Sequence, residues 1–504
     1  RRGQRGQPAP RAAALPEHAL AAGLAAARRF GLAGVRSAGL AELCASAQRL
    51  RSRLSDQVLC RLAQHAGGLA ADESRVAGWH AGDTGPATQL SQALLGELCA
   101  RLSRRASGTS GDDLGAKDLC LVAHAYSHAP VSSAHRGFFN ALCARLDEVA
   151  LLQLSPGELA GVANAFSKLA HAAELGYVGI FDRLGRQLAD ASVGMDLRGA
   201  CVALNAFAQA SVRHEPFFFA LEALLPARLH DRDCDMRQLA MLAHAHVRVG
   251  LSQSSLLPLI WERAGRLARW SDGHGVALIL FAVTKASAVG TANGDALVGE
   301  LGGRLLQLLR AAAVEPATLA VASYALARGG CAALVEPELW CALAAQATPC
   351  LGSLSLSEAA NVATAFAQLP QQAPEAAARA RAEIKGALSE ALERRAHEAS
   401  LAAGAGEAPA AARLVAALGS LCRADAGPTA LRLARRCLVP RAAAALAPGQ
   451  LRAVAEALAR LHAHDEDLLQ ALTAAQRRPR TRCHHQPSAG APLARWCSGA
   501  PASA

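Results

Sequence analysis

Aromatic residues are scarce in this chain: Phe, Tyr and Trp together make up 4% of its 504 residues. Because β-sheets are rich in aromatic and β-branched side chains, this scarcity argues against a β-sandwich. The chain is nevertheless 52% hydrophobic, and much of that fraction is alanine, the residue with the highest helix propensity. The composition therefore predicts an all-α fold.

Closely spaced cysteine pairs and catalytic motifs are also lacking. The 14 cysteines are scattered singly without a CxxC pair, which argues against a zinc ribbon or a thioredoxin-like site. No GxGxxG, HExxH or GxSxG motif occurs, and Lys117 lacks the flanking Gly and Ser/Thr of a P-loop. His244 and His246 lie two residues apart, so on a helix they point to different faces. We therefore expect no catalytic residue, no metal site, no cofactor and no enzyme.

Long apolar runs and lysine are rare as well. No stretch of 18 continuous apolar residues exists, so no membrane contact is expected. The net charge of +11 favours a polyanionic partner, although heavy Arg, Ala, Gly and Pro usage also fits a biased coding sequence. Residues 1–30 hold six Arg against one Glu, as in a mitochondrial or plastid transit peptide. The alternative is a disordered basic arm on a cytoplasmic protein.

A repeat of about 40 residues runs through the chain. The segments "DLCLVAHAYSHA", "GELAGVANAFSKLA" and "DLRGACVALNAFAQAS" share a polar residue, an alanine and an aromatic residue. We align each unit on one anchor, and eight of the ten separations lie between 37 and 43 residues. The anchors are Ala27, His65, Tyr126, Phe166, Phe207, His246, Val283, Leu326, Phe366, Leu421 and Leu458.

The sequence pattern of each unit predicts a helix–turn–helix hairpin. Helix-starting residues precede the first segment, among them Asp196, Asp235 and Ser355. The second segment has apolar residues at helical spacing, as in "YVGIFDRLGRQLADA". Such a hairpin buries its apolar faces only by stacking on its neighbours. The predicted fold is an α-solenoid of about ten repeats.

The repeat register divides the chain into segments. The predicted segments are a leader that overlaps a first helix (1–30), degenerate repeats with Gly/Asp-rich insertions (31–117), core repeats (118–396), an Ala/Gly/Pro linker (397–412), C-terminal repeats (413–476) and a disordered basic tail (477–504). The residue before the anchor is small in nine successive units, which predicts close contact between helices. Its members are Ala125, Ala165, Ala206, Ala245, Ala282, Ala325, Ala365, Ser420 and Ala457.

The position two residues after the anchor is basic in seven of eleven units and never acidic. In a solenoid this column would form a positive stripe suited to a phosphate backbone. The alternative is that these cations only face the dipole at the helix C-terminus. The candidate phosphate contacts are Lys168, Gln209, Arg248, Lys285, Arg328, Gln368, Arg423 and Arg460.

The position two residues before the anchor is varied and mostly polar or aromatic. Repeat proteins that read single-stranded RNA use variable side chains at fixed positions, about one base per repeat. The alternative is that Asn164 and Asn205 form hydrogen bonds within the fold. The candidate base contacts are His124, Asn164, Asn205, His244, Tyr324 and Thr364.

First helices of the type "LAGVANAFSKL" resemble those of organellar helical-repeat RNA-binding proteins. These are the octotricopeptide and heptatricopeptide repeat groups, with the related FAST-kinase-like leucine-rich, RAP-domain and RNA-editing substrate-binding complex proteins. The resemblance implies binding of single-stranded or ribosomal RNA in a mitochondrion or plastid, for RNA processing, stability, translation or ribosome assembly, with other ribonucleoprotein subunits as further partners. The alternatives are a protein-binding scaffold of armadillo or HEAT type and a structural mitoribosomal subunit.

Overall fold

The computed structural model describes residues 17–30, 38–75, 85–106, 115–126, 133–146, 151–168, 178–230, 234–328, 330–369, 375–397, 408–421, 427–437, 446–463 and 465–477. Within these ranges the chain forms 22 α-helices with short 3₁₀ segments, and no strand. The all-α prediction is confirmed.

The helices fall into two sets, odd-numbered and even-numbered in chain order. The odd-numbered helices are α1 (Glu17–Phe30), α3 (Asp56–Arg75), α5 (Ala116–Tyr126), α7 (Pro156–Lys168), α9 (Leu197–Gln209), α11 (Met236–Arg248), α13 (Gly273–Lys285), α15 (Pro316–Leu326), α17 (Leu356–Gln368), α19 (Ala408–Leu421) and α21 (Pro448–Arg460). The even-numbered helices are α2 (Ala38–Leu50), α4 (Pro86–Ala106), α6 (Ser133–Arg145), α8 (Val178–Asp190), α10 (Glu215–Arg228), α12 (Leu256–Leu267), α14 (Ala292–Arg310), α16 (Pro337–Cys350), α18 (Glu375–His397), α20 (Gly427–Cys437) and α22 (Glu466–Arg477).

The chain divides into two units, Arg1–Leu224 and Leu225–Ala504. In the first unit α1, α3, α5, α7 and α9 pack on one another in order, and α2, α4 and α6 do the same. In the second unit the odd helices α11 to α21 form one stack and the even helices α12 to α20 form the other. This order of packing is that of an α-solenoid, as the repeat predicted.

The predicted anchor falls at the eleventh residue of nine odd helices. Two anchors are wrong by this measure, because the eleventh residue is Ala66 in α3 and Leu418 in α19. Burial supports the correction in α19: Ser420, predicted to lie in the small column, is exposed, whereas Ala417 is only 4% exposed. The equivalent of the basic column in α19 is then Ser420. Arg423 lies outside the described residues.

The other small-column alanines are buried as predicted, and all eight have relative exposures of 5% or less. A further close approach involves Gly419, where a Cβ atom would lie 2.5 Å from the Cβ atom of Ala457. Since a heavy-atom contact that short is not tolerated, glycine is required for α19 to pack against α21 at this point. Small residues thus set the distance between successive odd helices.

The first turns of the odd helices are capped as the sequence predicts. The side chains of Asp196, Asp235 and Asp272 each accept a hydrogen bond of 2.7 Å from the backbone amide three residues later. Ser355 forms a reciprocal capping box with Glu358. These bonds satisfy amides that the helix itself leaves without partners.

The C-terminal ends of several odd helices share one backbone motif. The fourth residue after the anchor has a positive φ angle: +57° at Ser211, +83° at Gly250 and +54° at Ser287. The next residue donates its amide to the anchor carbonyl, at 2.9 Å for Val212 on Phe207. This pattern closes the last turn through backbone bonds.

The predicted linker, leader and tail are only partly among the described residues. The last five residues of the predicted linker, Ala408–Ala412, are helical and begin α19. Most of the predicted leader and nearly all of the predicted tail lie outside the described residues, whereas Glu17–Phe30 form α1. Among the described residues no helix is both long and apolar enough to cross a membrane.

Candidate nucleic-acid interface

The predicted basic column lies at the C-terminal ends of the odd helices. Most of its members are the last residue of their helix, and Arg328 follows α15 by two residues. The side chains at this end therefore project from equivalent positions in successive repeats. The members that end a helix are Lys168, Gln209, Arg248, Lys285, Gln368 and Arg460.

Three consecutive cations of the second unit form what we call the cation ridge: Arg248, Lys285 and Arg328. Partial desolvation, and then the positive charges of Arg248 and Arg328, hold the pKa of Lys285 below its ordinary value. The three groups are thus close enough to repel one another. Among the described residues Lys285 forms no ion pair with a carboxylate.

Acidic residues lie at the opposite end of these helices. The N-terminal positions of α11, α13, α15 and α17 carry Asp235, Asp272, Glu315 and Glu358. No Asp or Glu occurs in residues 240–250, 277–288, 320–328 or 360–369, which contain the C-terminal halves. The sign of the charge therefore separates along the helix axis, with the positive end at the cation ridge.

One turn before the cation ridge, three rings form what we call the ring ladder: His244, Phe281 and Tyr324. The centroids of His244 and Phe281 lie 5.8 Å apart, and those of Phe281 and Tyr324 lie 6.5 Å apart in a stacked arrangement. Each ring belongs to a successive odd helix. The ladder is therefore continuous across three repeats.

Two cations of the ridge lie on rings of the ladder. The Nζ atom of Lys285 is 5.9 Å from the centroid of Phe281, and the Cζ atom of Arg328 is 5.2 Å from that of Tyr324. Each pair is spaced four residues apart, so both side chains lie on one face of their helix. Such cation–π contacts fix long side chains that would otherwise be mobile.

The lowered pKa of His244 reflects its burial and the positive charges around it. Burial, followed by the charges of Arg248 and Lys285, lowers the pKa of His244 to about 4. Its imidazole is therefore neutral at neutral pH and adds no further charge to the ridge. A bound anion would favour protonation of His244.

The predicted base contacts differ in how accessible they are. Tyr324 and Asn205 are buried, with exposures of 9% and 3%, so neither offers a free face to a base. In the first unit His124 is exposed and Asn164 is partly exposed. The Oγ1 atom of Thr364 is buried without a hydrogen-bond partner. The structure thus brings His244 and Tyr324 together, but as an internal ladder.

The first unit carries a smaller positive cluster. Desolvation, then Lys168 and Arg28, lower the pKa of His124. Gln209 accepts a hydrogen bond of 3.2 Å from the hydroxyl of Ser167 on the neighbouring helix α7. Cations from α1 and α7 therefore act on one side chain of α5.

The predicted column weakens toward the C-terminus. Gln368 is exposed and neutral, and Arg460 donates to the backbone oxygen of Glu456 at 3.3 Å. Glu456 occupies the position that holds rings or polar groups in α11 to α17, and it also accepts from Arg452. Among the odd helices, the C-terminal halves of α11 to α19 therefore carry no acidic residue, whereas that of α21 carries Glu456.

Arg413 is a cation of this region that the sequence did not identify. It lies on α19, five residues before the corrected anchor Leu418, and its Cζ atom is 5.8 Å from the Tyr324 centroid. Its guanidinium extends past α17 to a ring on α15. A hint in the sequence was the small residues Thr364 and Ala416 at the ladder positions of α17 and α19, which leave room for it.

No group of three His, Cys, Asp or Glu side chains among the described residues could hold a metal ion. Burial raises the pKa of Cys120 to about 12 and that of Cys331 to about 11, so these thiols are not nucleophilic at neutral pH.

Neither a scan against protein-family models nor a search of curated proteins finds a match for this chain. The resemblance to organellar RNA-binding repeat proteins therefore stays a prediction.

Proposed function

We propose that this chain is an RNA-binding α-solenoid that holds a single strand along the cation ridge of its second unit. The observation that carries the proposal is the row of three cations, Arg248, Lys285 and Arg328, at the acid-free ends of successive odd helices, where both arginines act on the ammonium group of Lys285. A phosphodiester backbone brings negative charge to that position and removes the repulsion. Binding would also release the counterions of the nucleic acid, which is the main source of affinity for basic grooves.

Backbone bonds already satisfy several carbonyls at the helix ends where the basic column lies. The anchor carbonyls of α9, α11, α13 and α21 already accept backbone amides at 2.8–3.2 Å. Cations are therefore not needed there as hydrogen-bond donors to those carbonyls, although their interaction with the helix dipole remains. A column of positive charges binds an anionic partner more favourably than an apolar protein surface.

Salt dependence tests this proposal. Replacing Arg248, Lys285 and Arg328 together with Gln should flatten the slope of log affinity against log salt by about two units, since each phosphate contact on a single strand contributes about 0.7. The measurement is fluorescence anisotropy with a labelled single-stranded RNA over a range of salt concentrations.

The matched control removes the same charge from even helices, through Arg266→Gln, Arg310→Gln and Arg379→Gln. We expect a much smaller change of slope, because these residues lie on α12, α14 and α18. If both triple variants flatten the slope equally, net charge accounts for the salt dependence. The cation ridge would then not be the binding site. A parental slope in the ridge variant would lead to the same conclusion.

The proposal includes a role in organellar RNA processing, stability, translation or ribosome assembly. It rests on the Arg-rich residues 1–30, whose composition is that of a transit peptide. A reporter fused to residues 1–31, with an initiating Met added, should enter mitochondria or plastids. A diffuse cytoplasmic signal would contradict this part alone.

A further inference from the structure

Arg413 is held in place by two neutral oxygen atoms of α17. Its Nη1 atom donates to the Oδ1 atom of Asn361 at 2.9 Å, and its Nη2 atom donates to the hydroxyl of Ser357 at 3.4 Å. Because neither acceptor is charged, the guanidinium keeps its full positive charge. Among the described residues Arg413 forms no ion pair.

Arg328 approaches the same ring from its own helix. Its Nη1 atom donates a short hydrogen bond to the Tyr324 hydroxyl, while its Cζ atom lies 5.2 Å from the ring centroid. Both guanidinium carbons are therefore within about 6 Å of one phenol ring. Arg328, like Arg413, has no carboxylate partner among the described residues.

An arrangement of two guanidinium groups on one ring is unfavourable by itself. Like charges repel, and the cation–π contacts offset only part of that cost. Arginine is suited to oxyanions, because its planar fork of donors matches the oxygen atoms of a phosphate. The buried Oγ1 atom of Thr364, on α17 between the helices that carry Tyr324 and Arg413, has no hydrogen-bond partner.

We propose that Arg328 and Arg413, positioned by Tyr324 and Asn361, form an oxyanion subsite that takes one phosphate group. This inference rests on the proposed function in naming the phosphate as that of an RNA backbone. The subsite would be the strongest single contact of the interface, since its donors are held in place before binding.

The test compares three single variants of the full chain. Arg413→Gln removes the charge, and Asn361→Asp keeps Arg413 but places a carboxylate on it. Charge-assisted hydrogen bonds are worth about 1.5–3 kcal/mol, so each variant should weaken binding of a short single-stranded RNA by roughly tenfold or more. The control Arg432→Gln removes an exposed arginine of α20 and should change affinity about twofold or less.

A double variant at Asn361 and Arg413 separates the subsite from a folding effect. Asn361→Ala, which only removes the support of Arg413, should cause no further loss when it is added to Arg413→Gln, and the double variant in this comparison is therefore Asn361→Ala with Arg413→Gln. Melting temperatures of all variants are measured alongside, and Asn361→Asp is expected to fold because it adds an ion pair. Losses that multiply in the double variant would overturn the proposal.

Binding of inorganic pyrophosphate, measured by calorimetry, distinguishes failure of the subsite from failure of the proposed function. Pyrophosphate binding that Arg413→Gln abolishes, in a chain that binds no RNA, would support the subsite and overturn the RNA proposal. RNA binding that is unchanged by Arg413→Gln and Asn361→Asp would overturn the subsite alone. A chain that binds neither probe would overturn both.

Discussion

His244 shows how a single residue of the site responds to its neighbours. Its folded pKa of about 4 lies below the ordinary value of 6.5, so the unfolded chain takes up this proton first as pH falls. The contribution of His244 to stability is therefore complete above pH 6.5 and declines as pH falls toward 4. Replacing His244 with Gln should reduce the fall in melting temperature over that range.

A bound phosphate backbone should raise the pKa of His244. RNA affinity should then increase as pH falls from about 6.5 toward 4, and binding should take up protons, which calorimetry in buffers of different ionisation enthalpy detects. His274 of α13, whose pKa is also lowered but which lies in the N-terminal half of its helix, is the matched control. A pH dependence that His274→Gln removes and His244→Gln keeps would contradict this assignment.

Residue-level chemistry was only partly predictable. The cation ridge follows from the repeat, because one position in each unit becomes one end of each odd helix. Arg413 does not follow, since its role depends on reaching past α17 to a ring on α15, two helices away in the stack. The register in α19 was also misjudged, because its alanines and leucines permit an alignment three residues later.

The odd helix is the element that determines the architecture. Its N-terminal capping residues, Asp, Ser and Glu, can be identified from the sequence, and its eleventh residue faces the core. Its tenth residue is alanine in most units and touches the neighbouring helix closely. The fold could therefore be predicted well from local rules, whereas the accessibility of the ring ladder depends on packing between repeats and could not.

Close contact at the small column leads to a stability prediction. Ala165 is fully buried on α7, the helix that packs against α9. Replacing it with Leu should destabilise the first unit by roughly 1–3 kcal/mol, because the added carbons have no room. The control Ala144→Leu changes an exposed alanine of α6 and should leave the unfolding curve nearly unchanged. Equal curves for both variants would contradict the packing assigned to this column.

At the scale of the whole molecule, the two units offer different groups to an RNA. The second unit has the cation ridge of Arg248, Lys285 and Arg328, but its ladder rings face one another. In the first unit His124 and Asn164 have accessible side chains beside fewer cations. Phosphate contacts position a nucleic acid without reading its sequence, whereas accessible polar groups can read base edges. The second unit should therefore supply affinity and the first unit any sequence preference.

Competition among single-stranded RNAs of different base composition tests this division. Ala substitutions at His124 and Asn164 should change the ranking of the competitors while leaving the salt slope nearly intact, since they remove no phosphate contact. Gln substitutions at Arg248 and Lys285 should weaken all competitors by a similar factor and flatten the slope by about 1.4. The matched variant Tyr324→Phe, which retains the ring but removes the hydroxyl, should not change the ranking, because that ring is internal to the ladder. If Tyr324→Phe changes the ranking and the substitutions in the first unit do not, the second unit reads the bases, and the ring ladder must open when RNA binds.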